Sequence, residues 1–266
     1  MKASINGIVM HYETAGDARA PAVVLHHPLA TDLSSWDELA AALTPSYRVI
    51  RFDARGHGAS EASAGAYDFA LLAGDVIALM DHLGVGKARF VGLSMGGMVG
   101  QHLGLMHADR FHSLALVSTA AEMASLGAQI WADRIRFAAE HGMGAVADGA
   151  MARWLTPANL ASRPELAARM RATMLATPVT GYVGWCHAIS RHDVKARLRE
   201  IALPTLVVVG ALDPATPPAA ARIIADGIPG ARYAEIAATS HMLQVEDPAA
   251  FHAVLLPFLA ASGPAV

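Results

Sequence analysis

Ser94, Asp213 and His241 are the residues of this chain whose types and order suit nucleophilic catalysis. Ser94 stands in Gly92-Leu93-Ser94-Met95-Gly96, a Gly-x-Ser-x-Gly pattern preceded by an apolar run and followed by a helical one. The bare pattern is common. Between a strand and a helix it puts the serine on a tight turn, where Gly92 and Gly96 let the two elements approach closely. The same turn aims a helix N-terminus, with free N–H donors and partial positive charge, at a developing oxyanion. A serine hydroxyl needs an adjacent base, usually a histidine whose tautomer a carboxylate sets. Of 13 histidines, His241 falls in Thr239-Ser240-His241-Met242, between the last expected strand and the final helix. Asp213 follows a buried strand, in Gly210-Ala211-Leu212-Asp213-Pro214. An Asp-Pro pair is also an ordinary turn initiator, and a lone loop histidine is ordinary too. Their order after the serine, each beyond a strand, singles them out. An earlier acid is not available: the strand after the serine ends in Leu116-Val117-Ser118-Thr119, and the nearest carboxylate beyond it is Glu122.

Acyl transfer also needs two backbone donors for the oxyanion. Met95, directly after the serine, supplies one. The other is expected from His26-His27-Pro28-Leu29-Ala30-Thr31; Pro28 has no N–H, and Leu29 is the choice. The His26-His27 pair invites a metal reading, but no His-x-His or His-Glu-x-x-His pattern accompanies it, so a loop-ordering role is expected and no metal. The turn Asp53-Ala54-Arg55-Gly56-His57-Gly58-Ala59-Ser60 is assigned to structure, with Asp53 and Arg55 fixing it by hydrogen bonds. No Lys-Ser/Thr ends it, which disfavours phosphate binding.

These residues need a scaffold that gathers loops at one end of a sheet. Asn6-Gly7 marks a hairpin within Ile5–Tyr12. Apolar runs of strand length follow at 22–26, 47–53, 88–93, 114–118, 204–210 and, more weakly, 231–236. Helical segments are expected at about 36–43, 69–83, 95–106, 219–226 and 248–261. The alternation implies an α/β fold with a mostly parallel central sheet and helices on both faces. No convincing strand occurs between Thr119 and Leu203. That stretch holds Trp131, Trp154 and Trp185 and reads as an all-helical insertion over the end of the sheet. The expected division is a core of 1–121 with 201–266, and a helical cap of 122–200.

Composition excludes several function classes. The 266 residues are 54% hydrophobic, enough for a large core. A net charge of -3 with no long basic run gives no basis for a nucleic-acid partner. Cys186 is the only cysteine, so there is no intrachain disulfide, which fits a reducing compartment. No apolar run suggests a signal peptide or a membrane span, and a cytoplasmic protein is expected. Oligomeric state, including assembly as a homo-oligomer, is left open.

Together the turn at 53–60, the elbow at Ser94 and the late Asp213 and His241 resemble the α/β-hydrolase superfamily over essentially the whole chain. Within it the chain is similar to the 3-oxoadipate enol-lactonases. That likeness rests on Leu29–Trp36, Gly92–Gly100, Arg153-Trp154-Leu155-Thr156-Pro157, Asp213–Pro218 and Ile228–Tyr233. Two loops depart from it: His27–Ala30, where relatives tend to carry Asn-Ser-Leu-Gly, and His241–Gln244, where they tend to carry His-Ile-Ser-Asn. The resemblance implies a serine hydrolase of the β-ketoadipate pathway of aromatic compound catabolism, opening a small enol-lactone without a cofactor. It also implies a substrate with a free carboxylate. Nine arginines lie in the insertion, of which Arg134 and Arg153, with the neighbouring Trp131 and Trp154, are the candidates to bind it. The alternatives are that these arginines are solvated and these tryptophans merely pack. Other readings are a carboxylesterase or lactonase for another small acyl group, a meta-cleavage carbon–carbon hydrolase with the same triad, or a binding protein on a hydrolase scaffold. A haloalkane dehalogenase is disfavoured, since its nucleophile is an aspartate.

Overall fold

Asn6 and Gly7 take positive φ angles of 44° and 80° and close the hairpin between β1 (Lys2–Ile5) and β2 (Ile8–Ala15). The computed structural model describes residues 1–263. β3 (Ala22–His26), β4 (Arg48–Phe52), β5 (Ala88–Leu93), β6 (Phe111–Val117), β7 (Thr205–Gly210) and β8 (Arg232–Ile236) complete one eight-stranded sheet. Its order is β1-β2-β4-β3-β5-β6-β7-β8. β1 and β2 pair antiparallel with their neighbours, and the remaining pairings are parallel. β3, β5 and β7 are buried along their full length, which is why they read as continuous apolar runs rather than alternating ones.

The helices α1 (Asp37–Leu43), α2 (Phe69–His82) and α3 (Met95–Met106) connect the first parallel strands. The helix expected from Trp36 begins earlier, as a tight 3-10 turn over Leu33–Trp36. There the Asp32 carboxylate accepts from Ser34 N–H at 2.9 Å, so the cap starts the turn ahead of the apolar periodicity. Beyond β6 come α4 (Ala128–Trp154), α5 (Pro157–Ser162), α6 (Pro164–Ala176) and α7 (Val179–Ser190). Among the described residues this interval contains no strand, only an isolated bridge between Glu122 and Asp193. α4 is kinked at Gly142, which takes φ 72°. α8 (Pro218–Gly227), the short α9 (Leu243–Glu246) and α10 (Pro248–Ala261) finish the chain. α9 has only four residues and no periodicity to reveal it in the sequence.

The order of strands positions the site. β3 lies between β4 and β5, so the chain leaves β3 toward one side of the sheet and β4 returns across it to β5. The loops after β3 and β5 therefore part in opposite directions and leave a crevice at their carboxyl ends, where open α/β sheets place ligands.

Candidate active site

Ser94 lies at this crevice, between β5 and α3, with φ 55° and ψ −113°. A non-glycine residue at positive φ costs about 1–3 kcal/mol, so its surroundings must hold it. Its N–H donates to Val117 O (2.8 Å), and its carbonyl accepts from Thr119 Oγ1 (2.8 Å) and Met98 N–H (3.0 Å). The close approach is real: a Cβ on Gly92 would stand 2.2 Å from Gly96 O, and one on Gly96 2.4 Å from His26 O.

Asp213 and His241 meet across the loops after β7 and β8. His241 Nδ1–H donates to Asp213 Oδ2 at 2.8 Å, and both residues are buried. That bond leaves His241 Nε2 as the free ring nitrogen. Asp213 also accepts from Ala215 N–H (2.8 Å), Thr216 N–H (3.0 Å) and the Thr216 hydroxyl (2.9 Å). Burial alone would raise the Asp213 carboxyl, but His241 and these donors outweigh it and hold it below the usual aspartate value.

The loop after β3 is laced by three imidazoles. His26 Nδ1–H donates to His27 O (2.9 Å), and His27 Nδ1–H to Pro28 O (2.8 Å). His27 Nε2 accepts from Ala54 N–H and His57 Nε2 from Ala30 N–H, both at 2.9 Å. Burial lowers all three from the ordinary histidine value, His26 to about 3. The pair at 26–27 thus orders the loop. Asp53 behaves as expected, accepting from Leu33 and Ala59 N–H (2.9 and 2.8 Å). Arg55 reaches farther, to Asp75 of α2 and to Asn6 O of the hairpin. The N–H groups of Leu29 and Met95 donate to no acceptor among the described residues.

One cavity of about 100 Å3 collects the remaining candidates. Ser94, His241, Leu29, Trp131, Trp154, Arg134 and Arg153 all line it. Asp213 stands behind His241, and Met95 is buried at the start of α3 rather than on the wall. No Asp or Glu is among the lining residues. Arg134 Nε donates to the Tyr182 hydroxyl at 2.7 Å, and its guanidinium lies 5.4 Å from the Trp131 ring centre. Burial and the charge of Arg134 both lower the Arg153 guanidinium from its usual value, so two like charges share the cavity.

A model of the alpha/beta hydrolase fold matches residues 21–248. The chain belongs to the α/β-hydrolase family. This hydrolase is 37% identical to 3-oxoadipate enol-lactonase 2 of Acinetobacter baylyi, over 93% of its own length and 92% of that relative's. The crystal structure of the enol-lactonase from Burkholderia xenovorans LB400 superposes with a TM-score of 0.94 at 40% identity, covering 98% of this chain and 100% of that one. A putative carbamate hydrolase, RutD, of Stutzerimonas stutzeri is 30% identical over 94% of this chain and 97% of its own. Family and relatives together make the chain a carboxylic ester hydrolase.

Two residues that hold the hydrolase's site escape sequence reasoning. Glu246 is buried; its Oε1 accepts from Thr156 N–H (2.6 Å) and Asn159 Nδ2 (2.9 Å), and its Oε2 from Ser240 N–H. It therefore ties the insertion to the residue before His241. The signal was a lone carboxylate in the apolar run Met242-Leu243-Gln244-Val245-Glu246. Thr119 holds the Ser94 carbonyl, and nothing in its sequence context marks it.

Proposed function

We propose that this hydrolase opens a small enol-lactone bearing a free carboxylate, 3-oxoadipate enol-lactone, to give 3-oxoadipate. Ser94 Oγ attacks the lactone carbonyl while His241 Nε2 takes its proton and Asp213 stabilises the imidazolium. The N–H groups of Leu29 and Met95 hold the oxyanion. The imidazolium gives that proton to the ring oxygen, which leaves as an enol that stays attached to the acyl chain and can become a ketone, and His241 is neutral again. Water deprotonated by His241 then releases the acid and restores Ser94. Arg134 and Arg153 hold the substrate carboxylate, with Trp131 and Trp154 as walls. No cofactor enters these steps. The same reading assigns the enzyme to cytoplasmic breakdown of aromatic compounds by the β-ketoadipate route. No helix among the described residues is long and apolar enough to cross a membrane.

The observation that carries this reading is the pair of guanidiniums in a cavity without an acidic side chain, on the same walls as Ser94 and His241. Arg134 is half-buried and Arg153 exposed, no carboxylate of the cavity wall pairs with either, and a ligand carboxylate supplies a charged partner that a guanidinium can hold in a bidentate way. The similarity to two enol-lactonases supports the lactone. A second reading, a carboxylesterase for other small acyl groups, is favoured by the apolar lining at Met98, Met123, Val146 and Ile189.

The test follows the ultraviolet absorbance of freshly generated enol-lactone with wild type and Ser94→Ala, and p-nitrophenyl butyrate in parallel. Rapid lactone loss, abolished in Ser94→Ala and far above ester turnover, is expected. Ser94-dependent ester turnover without lactone loss gives the second reading. Activity that survives Ser94→Ala overturns both.

A further inference from the structure

The reaction needs the Leu29 N–H to face the cavity, yet Leu29 sits in a loop between β3 and the 3-10 turn at Leu33, with no helix or sheet to hold it. Its neighbour Ala30 takes φ 59°, a conformation that an alanine does not keep unaided. On one side of Leu29 the Pro28 carbonyl, in the same peptide unit as the Leu29 N–H, accepts from His27 Nδ1–H and the Thr31 hydroxyl (both 2.8 Å); on the other the Ala30 N–H donates to His57 Nε2 at 2.9 Å. His57 comes from the turn after β4, is buried, and has its other nitrogen 3.3 Å from Arg55 O. That arrangement needs the Nδ1–H tautomer, which leaves Nε2 as an acceptor. Trp185 of α7 packs its ring edge against His57 (centres 6.0 Å apart, 84°) and donates Nε1–H to the same Arg55 carbonyl at 2.8 Å. A helix of the insertion therefore backs the histidine that holds the loop.

We propose that His57 is a positioning residue for the oxyanion donor: its Nε2 fixes Ala30, and through Ala30 the direction of the Leu29 N–H, while Trp185 keeps the imidazole in place. His57 does not line the cavity and touches no substrate. Its effect falls on the transition state, where the oxyanion exists, and not on ground-state binding. The proposal rests on Ser94 and Leu29 acting as described above.

The test compares His57→Leu, which deletes the acceptor, with His57→Gln, which offers an amide oxygen, and Trp185→Phe, which keeps a ring edge but loses the bond to Arg55. In His57→Leu, kcat is expected to fall on the order of 100-fold with KM within about threefold, the size of losing one oxyanion donor. A trifluoromethyl ketone, which adds to Ser94 and fills the oxyanion site, should weaken in step with kcat/KM. His57→Gln should recover about tenfold, and Trp185→Phe should show a smaller loss confined to kcat. Amide exchange at Ala30, read by NMR, should be slow in wild type and His57→Gln and fast in His57→Leu. That readout requires no turnover, so it tests the tether even if activity survives Ser94→Ala and the proposed function fails. Unchanged Ala30 exchange in His57→Leu, a loss in KM alone, or unweakened ketone binding beside a Ser94-dependent reaction would each overturn the proposal.

Discussion

Of the nine arginines in the insertion, Arg134 and Arg153 are the two that line the cavity with Ser94 and His241. Arg136, Arg171 and Arg197 pair with Asp133, Asp148 and Glu200 on the surface, and Arg163 donates to Val245 O. Arg134 instead meets a phenol. Burial pushes the Tyr182 hydroxyl up to about 12, against the pull of Arg134, so it stays protonated and accepts from the guanidinium without neutralising it. Replacing Arg134 by methionine keeps the length and removes the charge. KM for a carboxylate-bearing lactone should rise roughly 10- to 100-fold, the value of a hydrogen bond to a charged group, while p-nitrophenyl butyrate should change little. Equal effects on both substrates in steady-state kinetics would mean that Arg134 only packs. Sequence could nominate Ser94, Asp213 and His241 as candidates because the chemistry would fix their types and their order. It could not choose among nine arginines, since helical spacing does not say which face a cavity lies on. Glu246 was illegible for a related reason: its partners are backbone N–H groups at Thr156 and Ser240, and backbone partners leave no residue signature.

At the scale of elements, α7 packs directly against the core turn that follows β4. Gly181 lies so close to the turn after β4 that a Cβ there would stand 2.1 Å from Gly56 O and 2.6 Å from Gly56 Cα. Both obstacles are backbone, which cannot swing aside as a flexible side chain does. Gly181→Ala should therefore cost about 1–3 kcal/mol as overpacking. A lowered urea midpoint at unchanged slope would show it. An unchanged midpoint would mean that α7 can lift off freely. The bounds expected for the central elements match closely, with 88–93, 95–106 and 248–261 reproduced as β5, α3 and α10. Fully buried strands and long, largely apolar helices advertise themselves in a single segment. The contact of Gly56 with Gly181 involves two segments far apart in the chain, and neither predicts the other.

The whole molecule carries an acid sensitivity in its buried histidines. Burial holds His26 at about 3 and His192 at about 4, and lowers His27 and His57 as well. In the unfolded chain each titrates near 6.5. Between those values the unfolded chain binds more protons than the native one, so stability is full above about pH 6.5 and falls as the pH drops toward 4. Each such histidine contributes about 1.4 kcal/mol per pH unit to that fall. Urea midpoints at pH 7.5, 6 and 5 should decline in sequence; a flat series would contradict neutral burial. The point where the insertion joins the sheet has another consequence. β6 and β7 are parallel neighbours, Leu114 beside Thr205, so the chain leaves the sheet and re-enters it one strand away. This is a seam at which recombination can exchange everything between two strands while the serine machinery is inherited whole. Inheritance is not free at one place, because any donor segment must bring a glycine to face Gly56 and a tryptophan to back His57. An exchanged segment is then held to a narrow vocabulary along α7, and again where Thr156 and Asn159 meet Glu246.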